Sequence, residues 1–176
     1  METTTGIEKF RAENTSFTAI DFETAHGKRW SVCQVGLVKI ENGYIKDRLA
    51  VLIQPPKNFY WDRFSEIHGI TPQKTAMAPT FDRVWNRIRP FIENQHVVAH
   101  NGFAFDFHCL NQTLEYYNIK PPIYTGHCTY KIYKDNLASL CKTHDIPFTQ
   151  HTALSDAFAC AELYQLHLMK NNFRLE

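Results

Sequence analysis

Apolar positions along the chain follow two rhythms. Between residues 17 and 53 they gather in short runs, "FTAIDFET" (17–24), "WSVCQVGLVKI" (30–40) and "YIKDRLAVLI" (44–53), rich in β-branched and aromatic residues. Runs of this kind bounded by turn formers predict strands, and "ENG" (41–43) predicts a tight turn between the last two. The result is a three-stranded antiparallel meander. "HVVAH" (96–100) predicts a fourth strand and "IYTGHC" (123–128) a fifth. From residue 80 the helical spacing takes over. Phe81, Val84, Trp85, Ile88 and Ile92 recur with that period in "TFDRVWNRIRPFI" (80–92), with Thr80 placed to cap and Pro90 weakening the last turn. In "FDFHCLNQTLEYYNI" (105–119) the stripe is Phe107, Leu110, Leu114 and Tyr117, and "NLASLCKTH" (136–144) and "SDAFACAELYQLHLMK" (155–170) predict two more helices. "QPPKNFYWDRF" (54–64) is expected to be irregular, because Pro55 and Pro56 remove backbone donors and fix φ. Strands followed by alternating strand and helix define an α/β architecture with a mixed five-stranded sheet flanked by helices.

A length of 176 residues suits one domain, expected over 16–170 between a polar N-terminal tail (1–15) and a short C-terminal tail (171–176). Nineteen Lys and Arg against eighteen Asp and Glu give a net charge of +1. The basic excess that drives coating of a duplex is missing, although a grip on a few nucleotides is compatible with this balance. The five cysteines are odd in number, scattered and never in a C-x-x-C pair, and the first residues lack an apolar secretory core. These features imply reduced thiols and a cytoplasmic location. No apolar run approaches the roughly 18 residues that span a bilayer, so no membrane role is expected.

The acids carry the chemistry. Asp21 and Glu23 are two apart in a predicted strand, so both point to one face while Phe22 points to the other. Side-by-side carboxylates repel unless a cation sits between them, and a divalent ion is the usual answer. Asp106 stands where the apolar stretch of "VVAHNGFAFDFHCL" (97–110) turns into a helix. Taken alone, an acid there is also what a helix dipole favours. His151 and Asp156 open the final helical segment. Five residues apart on a continuous helix they would lie about 140° apart around its axis, so His151 is expected on the turn before the helix and Asp156 in its first turn.

The order D-x-E on a strand, Asp at a strand-to-helix junction and His-x4-Asp at a last helix resembles the DEDD exonuclease superfamily. It is closest to the DEDDh, or DnaQ-like, branch that contains the proofreading subunit of bacterial replicative polymerase, ribonuclease T and oligoribonuclease. "HGIT" (68–71), "APTF" (78–81) and "SDAFACAELY" (155–164) are similar to stretches of that branch, and the resemblance covers about residues 16–168. The sister branch carries Tyr four before the final acid, where this chain has Thr152. One departure is local: Asn101 and Asp106 are five apart, where many relatives have four, which affects the path of the loop between them.

The resemblance implies a ribonuclease-H-like fold and a single 3′–5′ exonuclease domain. It implies that Asp21, Glu23, Asp106 and Asp156 hold two divalent ions, Mg²⁺ or Mn²⁺ by the hardness of their oxygens, and that His151 takes the proton of the attacking water. Phe22, Thr24, His68, Asn101 and Phe105 are the expected substrate contacts, with core packing an equal alternative for Phe105. The partner implied is a single-stranded nucleic acid 3′ end, with release of mononucleotides. DNA is the first reading; RNA ends or short oligoribonucleotides are the second, and a non-catalytic nucleic-acid-binding module is a third. A free-standing enzyme without a polymerase-docking tail is expected. Cys141 and His144, with His127-Cys128, lack the four-ligand spacing of a zinc site. His26, His96, His108 and His167 are expected in surface or packing roles; "HGKRW" (26–30) could touch phosphates from a loop beside the site, but a solvated turn is the favoured reading.

Overall fold

A computed structural model describes residues 15–171, so the expected tails at 1–15 and 171–176 fall almost entirely outside the described residues. The predicted meander is present: β1 (Ser16–Thr24), β2 (Val32–Glu41) and β3 (Tyr44–Leu52) pair antiparallel in sequence order. Asn42 and Gly43 form the β2–β3 turn with φ of 52° and 78°, the double left-handed geometry whose twist matches a two-residue hairpin. β4 (His96–Ala99) joins β1 in parallel and β5 (Thr125–Cys128) joins β4 in parallel, giving the order β3-β2-β1-β4-β5.

Among the described residues, seven helices flank this sheet: α1 (Asp62–His68), α2 (Pro72–Thr75), α3 (Phe81–Ile92), α4 (Asp106–Tyr116), α5 (Thr129–Tyr133), α6 (Leu137–His144) and α7 (Ala153–Lys170). The segment expected to be irregular is so only in part. After a single 3-10 turn at Pro56–Asn58 it runs into α1, which begins at Asp62. Thr80 precedes α3 as expected but its side chain makes no capping bond, and α3 continues through Pro90 to Ile92.

Alternation along β1 divides the core. Ile20 and Phe22 join Val35 and Leu37 under α3 and α4, in a cluster with Phe81, Ile88, Leu110 and Leu114. Phe17 and Ala19 face the other way and pack with Val38, Ile40 and Val98 against Ala157, Cys160, Ala161 and Tyr164 of α7. The small residues of α7 let its axis lie close to the sheet. Closest of all is Gly36 on β2, where a Cβ would stand 2.2 Å from the carbonyl carbon of Ala153. Among the described residues, no helix is long and apolar enough to cross a membrane.

Candidate active site

Asp21 and Glu23 continue the row begun by Phe17 and Ala19, so the strand face that is apolar beneath the body of α7 becomes acidic beneath its first turn. The register with β2 places Gly36 beside Asp21 and Gln34 beside Glu23. Gly36 admits the start of α7. The Gln34 side-chain oxygen accepts the Ala153 N–H at 3.1 Å, supplying an acceptor to a helix whose own N-cap residue, Thr152, provides none.

Asp106 reaches the same place from the opposite face. β4 pairs with β1 only at Thr18 and Ala19, so the β1 backbone beyond has no strand on that side. There the Phe22 N–H donates to Asp106 Oδ1 at 3.0 Å. The turn from β4 into α4 absorbs the extra residue noted between Asn101 and Asp106. Asn101 takes a left-handed backbone (φ 61°), and its carbonyl accepts the N–H groups of Ala104 and Phe105 at 3.0 and 3.1 Å. The Phe107 N–H then closes onto the Gly102 carbonyl at 3.0 Å. The longer loop therefore still delivers the carboxyl.

Asp156 lies in the first turn of α7 and His151 two residues before that helix, as the spacing predicted. His151 has φ 61°, and its N–H donates to Asp156 Oδ2 at 3.2 Å. Ligand-capable atoms of Glu23, His151 and Asp156 lie within 4.8 Å of one another.

The electrostatics are those of anions crowded together. Burial pushes the Asp21 carboxyl well above its ordinary range, and Asp106, Asp156 and Glu23 push it further. Burial, then Asp156 and Asp106, raise Glu23 to about 8. Asp106 is raised to about 7, burial outweighing the Phe22 N–H, its own N–H and the Arg29 charge that favour the carboxylate. Burial raises Asp156 to about 7 against the His151 N–H bond. Asp156 Oδ1 is buried and has no hydrogen-bond partner. Four convergent carboxyls, one with an unpartnered buried oxygen, fit hard divalent cations, which would favour the ionised forms that burial opposes.

The expected substrate contacts divide. Phe22 is a correction: its side chain is 2% exposed within the core, so it cannot meet a base, and its contribution is the backbone bond to Asp106. His68 is half-buried with both ring nitrogens in use, Nε2 facing the Thr24 carbonyl at 3.1 Å and Nδ1 accepting the Ile70 N–H at 3.0 Å. It pins the "HGIT" turn to the end of β1 and holds Thr24, whose own side chain is buried. Asn101 is exposed beside the Asp106 junction. Phe105 packs partly against the core, and the Arg29 guanidinium lies 4.3 Å from its ring centroid. Sequence reasoning set Arg29 aside with the "HGKRW" turn and missed Gln34 and Gly36. The pairing of Gly36 and Gln34 with Asp21 and Glu23 in the β1–β2 hairpin was the signal that would have found the last two.

The fold and this acid cluster define a nuclease-type centre, and comparison with known proteins agrees. The exonuclease family model RNase_T matches residues 18–164, and the chain belongs to this family. A DNA polymerase III PolC-type protein of Thermotoga petrophila is 30% identical over 162 residues, which is 86% of this chain and 12% of that protein. The DNA polymerase III subunit epsilon of Buchnera aphidicola is 26% identical over 149 residues, 77% of this chain and 64% of that one. This chain thus spans about an eighth of the PolC-type relative's length. Among solved structures, Exonuclease X in complex with 5′ overhanging duplex DNA superposes with a TM-score of 0.70 at 21% identity, covering 90% of this chain and 94% of that one. E. coli Exonuclease I in complex with a dA16 oligonucleotide gives 0.78 at 14% identity, covering 90% and 42%. The five-stranded mixed sheet with its flanking helices is the ribonuclease-H-like fold of these nucleases.

Proposed function

We propose that this chain is a 3′–5′ exonuclease that removes nucleoside monophosphates from single-stranded DNA ends with the help of two Mg²⁺ or Mn²⁺ ions. The observation that carries the reading is the meeting of Asp21, Glu23, Asp106 and Asp156 beside His151, with Asp156 Oδ1 buried and unpartnered. DNA rather than RNA is supported by relatives that are DNA polymerase III proteins and by structural neighbours that hold DNA. Five unpaired cysteines suit a reducing compartment such as the cytoplasm.

Asp21, Glu23, Asp106 and Asp156 would hold the ions; when bound, such a pair lowers the pKa of a water and neutralises charge on the attacking and leaving oxygens. The chain's own residues supply the rest. His151 is held at the lip of the cluster by its backbone bond to Asp156, with its imidazole free to take the proton of the attacking water. The Phe22 N–H fixes one oxygen of Asp106, so that carboxyl keeps its orientation as substrate enters. Thr24, held by His68 at the end of β1, would meet the terminal sugar, and Asn101 and Phe105 would meet the substrate from the Asp106 side.

The test is digestion of matched 5′-labelled single strands of DNA and RNA with Mn²⁺ and with chelator. A ladder shortening from the 3′ end of DNA, abolished by chelator, is expected. Preference for RNA would replace the substrate assignment, and binding without cleavage would replace the enzymatic one.

A further inference from the structure

The segment "HGKRW" has surroundings that its sequence does not announce. It leaves β1 directly and is tied down at both ends, the Ala25 N–H donating to the Ser31 carbonyl at 2.8 Å and the Ala25 carbonyl accepting the Trp61 N–H at 3.0 Å. Aromatic rings from distant segments gather on it. The His26 ring lies 5.1 Å from Trp30, 5.6 Å from Phe59 and 5.8 Å from Trp61. Gly27 touches the indole of Trp61 so closely that a Cβ would stand 2.9 Å from it. Rings recruited for stability are normally covered, yet Phe59 is 53% and Trp61 42% exposed. Cations accompany them: the Arg63 guanidinium is 5.4 Å from the Trp61 ring centroid, and Arg29 is 4.3 Å from that of Phe105. The Arg29 guanidinium also donates to the Ala104 carbonyl at 3.5 Å, two residues before Asp106, so one end of this ridge adjoins the acid cluster.

We infer that this aromatic and cationic ridge binds the single-stranded DNA lying 5′ of the scissile phosphate, with bases stacking on Trp61 and Phe59 and phosphates meeting Arg29 and Arg63. The inference rests on the exonuclease reading above. An enzyme that cuts the last phosphodiester has one nucleotide within its acid cluster and all remaining substrate on one side, so a surface continuous with the cluster meets the upstream strand. Every base has a π-face and every step a phosphate, so alternating rings and guanidiniums grip a strand without regard to sequence. The net charge of +1 is compatible with this, because the grip is local.

The experiment compares the full chain with a Phe59→Ala/Trp61→Ala double variant on 5′-labelled oligothymidylates, a dinucleotide and one of about 12 residues, in Mn²⁺. A stacked base is worth about 5- to 150-fold in affinity. The ratio of kcat/KM on the long substrate to that on the dinucleotide is therefore expected to fall at least about fivefold in the variant, chiefly through KM. Anisotropy of the labelled long strand in Ca²⁺ gives a readout independent of turnover, and weaker binding by the variant is expected. Arg63→Gln, a change at an exposed side chain, is expected to make the salt dependence of binding shallower by about 0.7 in log–log slope. A wild-type ratio in the double variant, together with unchanged anisotropy, overturns the inference while leaving the exonuclease reading intact. A wild-type chain that cleaves neither substrate overturns that reading instead, and the anisotropy comparison still decides the ridge.

Discussion

Gly36 lies directly beneath Ala153, with no room for a Cβ between the β2 backbone and the first turn of α7. Gly36 is also the register partner of Asp21, so the height of α7 above the sheet and the placing of Asp156 over Asp21 depend on the same missing side chain. Gly36→Ala is expected to lift the start of α7. Overpacking of this kind costs about 1–3 kcal/mol, and displacement of a catalytic group by about 1 Å can cost about a hundredfold in rate. Thermal melts and Mn²⁺-dependent hydrolysis measured together check this, activity falling much more than stability.

Gln34→Ala removes the acceptor for the Ala153 N–H while leaving the packing over Gly36 untouched. Loss of about 1 kcal/mol is expected, with activity reduced and not abolished. Urea unfolding at constant m-value, paired with kcat, is the measurement.

His151→Ala and His151→Asn separate backbone from chemistry. The residue has φ 61°, which Asn tolerates better than Ala, so the Ala variant alone should be less stable, by about 1 kcal/mol. Both are expected to lose about 10²- to 10⁴-fold in turnover and to keep the rise in Tm that Mn²⁺ produces. Equal turnover in either variant and wild type would remove His151 from the mechanism.

Asp106→Asn retains an oxygen able to accept the Phe22 N–H and deletes one of the crowded charges. The metal-free variant is expected to melt higher than wild type at pH 8, while hydrolysis drops at least about a hundredfold, since even groups one step removed from a metal commonly cost about 10- to 100-fold. Calorimetry with chelator and initial rates with Mn²⁺ test the two halves independently.

The metal-free chain should lose stability as pH rises. Folded-state values of about 8 for Glu23 and about 7 for Asp106 and Asp156, with Asp21 also raised, lie above the ordinary carboxylate range. Between about pH 4 and 8 the folded chain therefore holds protons that the unfolded chain has released, so unfolding becomes easier through that window. Tm with chelator is expected to decline from pH 5 to pH 8. Mn²⁺ should raise it more at pH 8 than at pH 5, because bound cations favour the ionised carboxyls.

The sheet and the acids were legible because their signals are local. β1 shows its carboxyl pair in an i, i+2 spacing, and the parity that set Asp21 and Glu23 on one face already placed Phe22 on the other, in the core where it lies. α1 was not legible because it buries no residue and so carries no apolar stripe. It ends at Gly69, whose φ of 69° closes the helix. α5 was too short to show a period. The surroundings of "HGKRW" were invisible for another reason: Phe59, Trp61, Phe105 and Tyr116 reach it from far along the chain, and no window of sequence contains both sides of those contacts.

The bond from the Phe22 N–H to Asp106 joins residues 84 positions apart, and the bond from Ala153 to Gln34 joins residues 119 apart. Neither contact is local, so the acid cluster is complete only once segments far apart in the chain have packed together. Cations that bind the assembled acids and not the unfolded chain would stabilise the packed state. On the proposed function, a half-folded chain would have no assembled centre with which to cut, so cleavage would wait on the finished tertiary structure.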